Sequence, residues 1–373
     1  MKKLATLLLG NLVALGFLVF FMNALSIAAI NLYDWYKPKQ YAKSHLLPNY
    51  GGAAWAQDHF SEYYDLQSRY EAYYGWRRHA YAGDTINIDE QGLRRTYQAE
   101  STTPERTIAF FGGSTTWGTG ADDHRTIASE FVKLHPEYAG YNFGETGWVA
   151  HQSLNMFLKL YFEGFRPDVV VFYDGVNDAW HKCRRELDAF AHAREYKMRT
   201  VMDEASSENP ESPLFLILPI QNFAGKLTRM MSSRANAQTS HYDCAEDPAK
   251  AELIARVLLS DWLIVKNLVE SYGGTFVPIL QPVIYFSDTK KDHLELDAEL
   301  GRQYATVYPR IVELMHREFP ALAEDFMDLR AALDHDEYFY IDWCHLSPNG
   351  NQRIAARISD GVSARTGKAM AAR

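Results

Sequence analysis

Cysteine is scarce in this chain: Cys183, Cys244 and Cys344 are all there is in 373 residues. Three are too few for a disulfide scaffold, and they lack the paired spacing of a zinc site, so the fold has to rest on a hydrophobic core. Positive charge is also in short supply. The formal net charge is −9 and the sequence pI about 5.8, and no basic stretch offers a footprint for phosphates, which excludes a nucleic-acid binder and favours a small or neutral substrate. There is no visible internal repeat. What the chain does have is 47% hydrophobic residues against 23% charged, enough to bury a substantial core in one large domain with additions or in two modest ones.

One long apolar run opens the sequence. After Met1-Lys-Lys it extends from Leu4 to about Ile30, broken only by Gly, Asn11, Asn23 and Ser26, and a stretch of about 27 residues can cross a ~30 Å hydrocarbon core with some tilt. It reads as a membrane anchor over residues 1–32. The competing reading is a cleaved signal peptide with a small-x-small site at Ser26-Ile27-Ala28, but the run is longer than an ordinary signal core. Tyr33, Trp35, Tyr36, Lys37 and Lys39 follow, the aromatic and cationic types found at a membrane interface. Lysines on both flanks leave charge counting undecided about orientation. The short amino-terminal tail resembles an uncleaved export signal, so the expectation is a single-pass protein with an extracytoplasmic body.

Residues 33–103 are rich in Tyr and Trp with little sustained periodicity, and are expected to pack on the main domain; sugar stacking is the alternative use of such aromatics. From residue 104 onward, short β-type runs alternate with helical patterns. Strands are expected at 108–111, 141–143, 169–173, 275–280 and 326–329, with helices over 126–134, 153–162, 248–272 and 296–319 and after Pro348. That alternation predicts a mainly parallel sheet with helices on both sides. Residues 182–247 depart from the rhythm and read as an insertion, either a structural elaboration, a lid or a second membrane contact. Cys183 and Cys244 bracket it and could form a bridge in an oxidising compartment.

Chemistry concentrates where strands give way to loops. In Thr107-Ile-Ala-Phe-Phe-Gly-Gly-Ser-Thr-Thr-Trp-Gly118 an apolar run ends at two glycines and Ser114, which places that hydroxyl at the carboxyl end of a strand, where open α/β sheets bind ligands. Asn142-Phe-Gly-Glu-Thr-Gly-Trp148 and Asp174-Gly-Val-Asn-Asp178 occupy equivalent places, and Asp342-Trp-Cys-His-Leu-Ser-Pro-Asn-Gly350 lies near the carboxyl end. A serine attacks only if an imidazole takes its proton, and the imidazole needs a carboxylate to fix its tautomer. Asp342 and His345 stand three apart before a helix-opening proline. The oxyanion needs donors, which the N–H of Ser114, the N–H of Gly147 and the amide of Asn177 could supply.

With its serine, glycine, asparagine and Asp-x-x-His in this order from residue 107 to the carboxyl end, the chain resembles the SGNH hydrolase superfamily, the GDSL-type esterases and lipases. The resemblance implies a flavodoxin-like three-layer α/β/α sandwich. It also implies Ser114 as nucleophile, His345 as base and Asp342 as its orienter, with Ser114, Gly147 and Asn177 forming the oxyanion hole and no cofactor or metal. One departure stands out: family members commonly carry Asp immediately before the serine, where this chain has Gly113. The Asn87-Ile-Asp-Glu-Gln-Gly-Leu-Arg94 stretch resembles the lead-in of membrane-anchored members associated with bacterial surface polysaccharides.

The remaining polar residues near these blocks have blander readings. Asp178 is expected to brace its loop, His151 and His181 to lie at the surface, Cys344 to pack, and Glu145 to face the pocket; Asp122-Asp123-His124 is not a complete metal site. The function so implied is a membrane-anchored serine esterase acting on an acyl ester, acetyl foremost, of an extracytoplasmic carbohydrate. Three alternatives share the same sequence: an O-acyltransferase on a surface polysaccharide, a lipid esterase or thioesterase, and a glycan-binding factor with a dormant site. Nothing in the sequence speaks to the oligomeric state.

Overall fold

The computed structural model describes residues 2–36, 41–99, 103–195, 198–199, 202, 217, 219–221, 223–225, 227 and 241–371. The chain divides into two compact units, Met1–Gln40 with Arg194–His241, and Tyr41–Ala193 with Tyr242–Arg373. About half of the 182–247 insertion, including residues 214–216 and 218 of an apolar run and the polar 232–240 stretch, lies outside the described residues, as do Lys37 and Lys39.

In the first unit, helix α1 (Lys2–Tyr36) is a single uninterrupted rod. It continues past the expected boundary at residue 32 because no glycine or proline interrupts residues 31–36. Its apolar side chains, Leu12, Phe17 and Phe20 among them, are exposed. The stretch Lys3–Tyr33 is long and apolar enough to cross a membrane, with a mean hydropathy of 2.3; a signal sequence meets the same criterion.

The second unit is built on a five-stranded parallel sheet of β5 (Arg106–Gly112), β6 (Tyr138–Asn142), β7 (Val169–Asp174), β8 (Thr275–Leu280) and β9 (Met327–Asp328). Their order across the sheet is β6-β5-β7-β8-β9, which in parallel-strand numbering is 2-1-3-4-5, the flavodoxin-like arrangement. Helices α4 (Ile127–Leu134) and α9 (Pro348–Ala371) cover one face, where Ile108, Phe110, Val169, Val171, Val277 and Ile279 meet Phe131, Ile354 and Ile358. Side chains alternate along a strand, so the intervening residues face the other way. There Phe111 and Phe172 pack on Phe157 of α5 (Ala150–Phe162), and Phe172 on Phe276. Helices α7 (Pro248–Ser271) and α8 (Ala298–Glu318) complete that layer.

Strand β6 begins three residues before the expected 141, because Tyr138 and Ala139 pair with Arg106 and Thr107. Ahead of the sheet, residues 41–99 contain more regular structure than their periodicity suggests: α2 (Ala54–Asp65), the hairpin of β1 (Ser68–Glu71) with β2 (Gly75–Arg78), and the pair β3 (Tyr81–Ala82) with β4 (Asn87–Ile88). The buried face of α2 is Ala56, His59 and Phe60, a helical spacing that a histidine at its centre disguises. Arg94 then bridges to Asn142 on β6 and ties this segment to the sheet edge. Cys183 and Cys244 form a disulfide, closing the two ends of the insertion against each other.

Candidate active site

The first three parallel strands deliver one block each to the carboxyl edge of the sheet. Strand β5 ends at Gly112, whose φ of +151° is open to glycine, and Ser114 starts a single helical turn, α3 (Ser114–Trp117). The first helical bond closes from Trp117 N to the Gly113 carbonyl, so the N–H of Ser114 lies ahead of the hydrogen-bonded ladder and points into the space before it. After β6, Gly147 adopts a φ of +81°. After β7, Gly175 leads into α6 (Val176–Lys182), which carries Asn177.

The fourth block is a turn. An antiparallel bridge between Tyr340 and Leu346, with Ile341 N–H donating to the His345 carbonyl at 2.9 Å, folds residues 341–345 back on themselves. Asp342 Oδ1 accepts from the backbone N–H of Cys344 at 2.9 Å and of His345 at 2.8 Å. Its other oxygen, Oδ2, accepts from His345 Nδ1 at 2.6 Å. A carboxylate only accepts, so Nδ1 carries a proton and Nε2 of the neutral ring is an acceptor. That Nε2 lies 2.7 Å from Ser114 Oγ. Burial alone would raise the Asp342 pKa, yet His345 and the two backbone N–H groups outweigh it and hold the carboxyl below its ordinary range. The adjacent Cys344 thiol is pushed well up by burial and by Asp342, so it stays neutral. Carboxylate, imidazole and hydroxyl thus form one continuous hydrogen-bonded line.

Asn177 is 7% exposed, and its Nδ2 donates to the Trp148 carbonyl at 2.8 Å. This bond uses one of the two amide hydrogens and fixes the direction of the other. A Cβ on Gly113 would come well inside 3.0 Å of the same Nδ2 and to 3.2 Å from the Trp148 carbonyl. The absence of a side chain at 113 is therefore what lets the Asn177 amide lie beside the serine turn. Beside Gly147, Trp76 and His181 stand at van der Waals range of where a Cβ would be.

In place of an acid before the serine, the loop after it is braced by Arg94. This fully buried guanidinium donates to the carbonyls of Trp117 (2.9 Å), Gly118 (2.7 Å) and Ala121 (2.6 Å), and pairs with Asp123 at 3.1 Å. Asn142 Nδ2 adds a bond to the Thr116 carbonyl at 2.9 Å, and Gln281 Nε2 one to Thr115 Oγ1 at 3.2 Å. Arg94 ends the lead-in stretch singled out from the sequence, but the serine turn it holds is more than twenty residues away and nothing local signals the contact. Tyr41 likewise carries no local signal: its hydroxyl reaches Asp342, 301 positions along the chain.

The structure thus brings Ser114, Asp342, His345, Gly147 and Asn177 to one edge. It relocates several others. Glu145 does not face the pocket: it is buried, accepts from Arg78 N–H at 2.9 Å and Thr146 N–H at 2.7 Å, and holds the Gly147 loop to β2. His181 is buried instead of lying at the surface, with ring centroids 4.4 Å from Trp180 and 4.0 Å from His192. The rings of Trp180 and His192 pack around it. Asp178 accepts from Ala150 N–H at 3.2 Å and from Lys182 at 2.9 Å, bracing α6 against the start of α5. His151 remains half in solvent, paired with Asp261 at 3.0 Å. Asp122 pairs with Arg125, apart from Asp123, whose partner is Arg94. Asp342, Cys344 and His345 offer donor atoms within 4.8 Å of one another, but Nδ1 of His345 is committed to Asp342.

No family model matches the chain, and no curated protein is similar to it. Solved structures are. Over 69% of its length the chain is similar to 99% of an acetyl xylan esterase, AlAXEase, at 16% identity and a TM-score of 0.38. It is similar over 70% of its length to 95% of a catalytic mutant of an acetylxylan esterase from Geobacillus stearothermophilus, at 15% identity and a TM-score of 0.36. A member of the lipolytic protein G-D-S-L family from Veillonella parvula is matched over 94% of its own length and 67% of this chain, at 11% identity and a TM-score of 0.39. Likeness at these scores carries no weight for the chemistry of this chain, which rests on its own site geometry.

Proposed function

We propose that this chain is a serine esterase that removes a small acyl group, acetyl foremost, from a carbohydrate outside the cytoplasm. The observation that carries the reading is the unbroken line from Asp342 through His345 to Ser114, at 2.6 and 2.7 Å. As the Ser114 oxygen attacks the ester carbonyl, its proton passes to Nε2 of His345, and Asp342 steadies the resulting imidazolium. Charge developing on the carbonyl oxygen is met by the N–H of Ser114, the N–H of Gly147 and the free amide hydrogen of Asn177, donors already held in place before reaction. Collapse expels the alcohol, which takes the proton back from Nε2. His345 then deprotonates a water that attacks the acyl-enzyme, releasing the carboxylic acid and restoring Ser114.

The ring side chains of Trp76 and His181 beside Gly147 suit a small acyl group. The apolar helix α1 supports a single-pass membrane attachment, and the Cys183–Cys244 bridge supports an oxidising compartment for the body of the protein. In this reading residues 1–32 are the anchor core, 33–103 pack on the catalytic region, and 104–373 form a hydrolase domain interrupted at about 182–247.

The test is a panel of acyl esters and acetylated glycans on the detergent-solubilised protein beside its Ser114→Ala variant. Turnover of short-chain esters and release of acetate from glycan, both lost in the variant, are expected. Wild-type turnover by Ser114→Ala would end the proposal. Acetylated acceptor formed from a donor ester and a glycan would mark an O-acyltransferase running the same acyl-enzyme, and a preference for long acyl chains a lipid esterase or thioesterase.

A further inference from the structure

Tyr41 stands at the far end of the line described above. Its hydroxyl donates to Asp342 Oδ2 at 3.0 Å and lies 3.2 Å from His345 Nδ1. The side chain is buried, with its ring edge-on to His345 at 6.0 Å and to Tyr63 at 5.6 Å and stacked on Phe60 at 6.0 Å. The Tyr64 hydroxyl accepts from its backbone N–H. These contacts fix both backbone and ring, so the hydroxyl is aimed by the fold and not by chance rotation.

Asp342 Oδ1 is occupied by two backbone donors, whereas Oδ2 is shared between His345 Nδ1–H and Tyr41 O–H. Burial and the neighbouring carboxylate push the Tyr41 phenol well above its ordinary range, so it remains a proton donor wherever the enzyme works. A second donor on Oδ2 draws off part of the negative charge that would otherwise stabilise imidazolium. We propose that Tyr41 is a positioning residue that sets the basicity of His345 by sharing Asp342 Oδ2 with it. This rests on the reading of Asp342, His345 and Ser114 as the proton relay.

Other titratable groups face the pair without taking this place. Tyr50 and Tyr63 come from the same segment as Tyr41, Cys344 from the turn itself and Ser114 from α3. Tyr50 directs its hydroxyl to the Gly120 carbonyl at 2.9 Å. Cys344 Sγ lies 3.5 Å from His345 Nδ1 as a neutral thiol, a weak partner beside a phenol.

The experiment measures kcat and KM for a short-chain aryl ester from about pH 5 to about pH 9, the range in which a histidine base titrates. Full-length, detergent-solubilised wild type, Tyr41→Phe and Tyr50→Phe are compared, each corrected for the fraction of Ser114 that a fluorophosphonate labels. Because Tyr41→Phe removes a charge-assisted hydrogen bond from Asp342 and part of its effect reaches the imidazole, it should raise the pKa of the acid limb of kcat/KM by about half to one unit. KM should be unchanged, and Tyr50→Phe should titrate as wild type. Incorporating 3-fluorotyrosine at position 41 keeps the size and strengthens the donor; it should move the limb downward, and it serves if the phenylalanine variant does not fold. A role in packing alone would lower thermal stability or the labelled fraction and leave the limb in place. An acid limb that coincides with wild type in both substitutions at 41, while Ser114→Ala is inactive, overturns the inference about Tyr41 alone; an active Ser114→Ala overturns the relay beneath it.

Discussion

Replacing Gly113 with alanine tests why this chain carries no side chain before its serine. The added Cβ would fall well inside 3.0 Å of Asn177 Nδ2 and 3.2 Å from the Trp148 carbonyl. The amide cannot step aside cheaply, because it is buried and bonded to that carbonyl at 2.8 Å. Two costs follow. Overpacking of this kind destabilises by ~1–3 kcal/mol, which a 373-residue protein with an ordinary margin of ~5–15 kcal/mol survives. In the proposed mechanism, displacing the amide removes one oxyanion donor, a loss on the order of 10²–10³ in kcat. Steady-state kinetics on a short-chain ester, with urea unfolding as the check on fold, separates the two. A cycle with Asn177→Ala identifies the route: once the amide is gone the new methyl has room, so the double variant should be no slower than Asn177→Ala alone. Gly113→Asp, which introduces the residue common at this place in SGNH hydrolases, should lose activity for the same reason. Wild-type kcat in Gly113→Ala, or losses that multiply in the double variant, would refute the coupling between Gly113 and Asn177.

Three further outcomes are expected. Asp342→Asn should lower kcat on the order of 10⁴, since an amide can donate to Nδ1 and favour the wrong tautomer; pre-steady-state acylation is the direct measurement, and a change below about tenfold would speak against the assigned role. Arg94→Met leaves Asp123 buried without its partner at 3.1 Å and should cost ~3–5 kcal/mol in denaturant unfolding; a loss under ~1 kcal/mol would mean that the guanidinium does not brace the serine loop. His59 is fully buried, and burial, then Arg94, lower its pKa to about 3, against ~6.5 in the unfolded chain. The unfolded state therefore binds the extra proton between those values. The stability it contributes is fully present above ~6.5 and is lost as pH falls toward 3, at ~1.4 kcal/mol per pH unit. His59→Gln, which keeps a donor for the Thr119 carbonyl, should flatten that slope in urea titrations at successive pH values; an unchanged slope would assign it to other groups.

Much of the sheet was legible because its strands are continuous apolar runs, buried on both faces, and the breaks after Phe111, Asn142 and Tyr173 carry glycines that no strand interior favours. Strand β8 falls on its expected residues 275–280. The start of β6 was missed because Tyr138-Ala-Gly140 has no apolar run, and its pairing is imposed by β5. Ser114, His345 and Asp342 are residue types with specific chemistry, and the structure places all three together at the carboxyl edge of the sheet. Tyr41 and Arg94 escaped, and Glu145 was expected at the pocket instead of in its brace, for the opposite reason. Each acts through a contact with a distant segment, and a tyrosine, an arginine or a glutamate in an irregular stretch has no local pattern that tells bracing from exposure. His181 shows the same limit: its burial comes from Trp180 and His192, not from its own propensity.

If Ser114 forms a covalent acyl-enzyme with His345 as its base, the serine is open to a fluorophosphonate, and peptide mapping of the labelled full-length protein reads this out. One modified serine, Ser114, is expected, with labelling slowed on the order of 10³-fold or more in His345→Gln because the hydroxyl keeps its proton. Modification of a different serine, or no modification of a preparation that hydrolyses esters, would contradict this role.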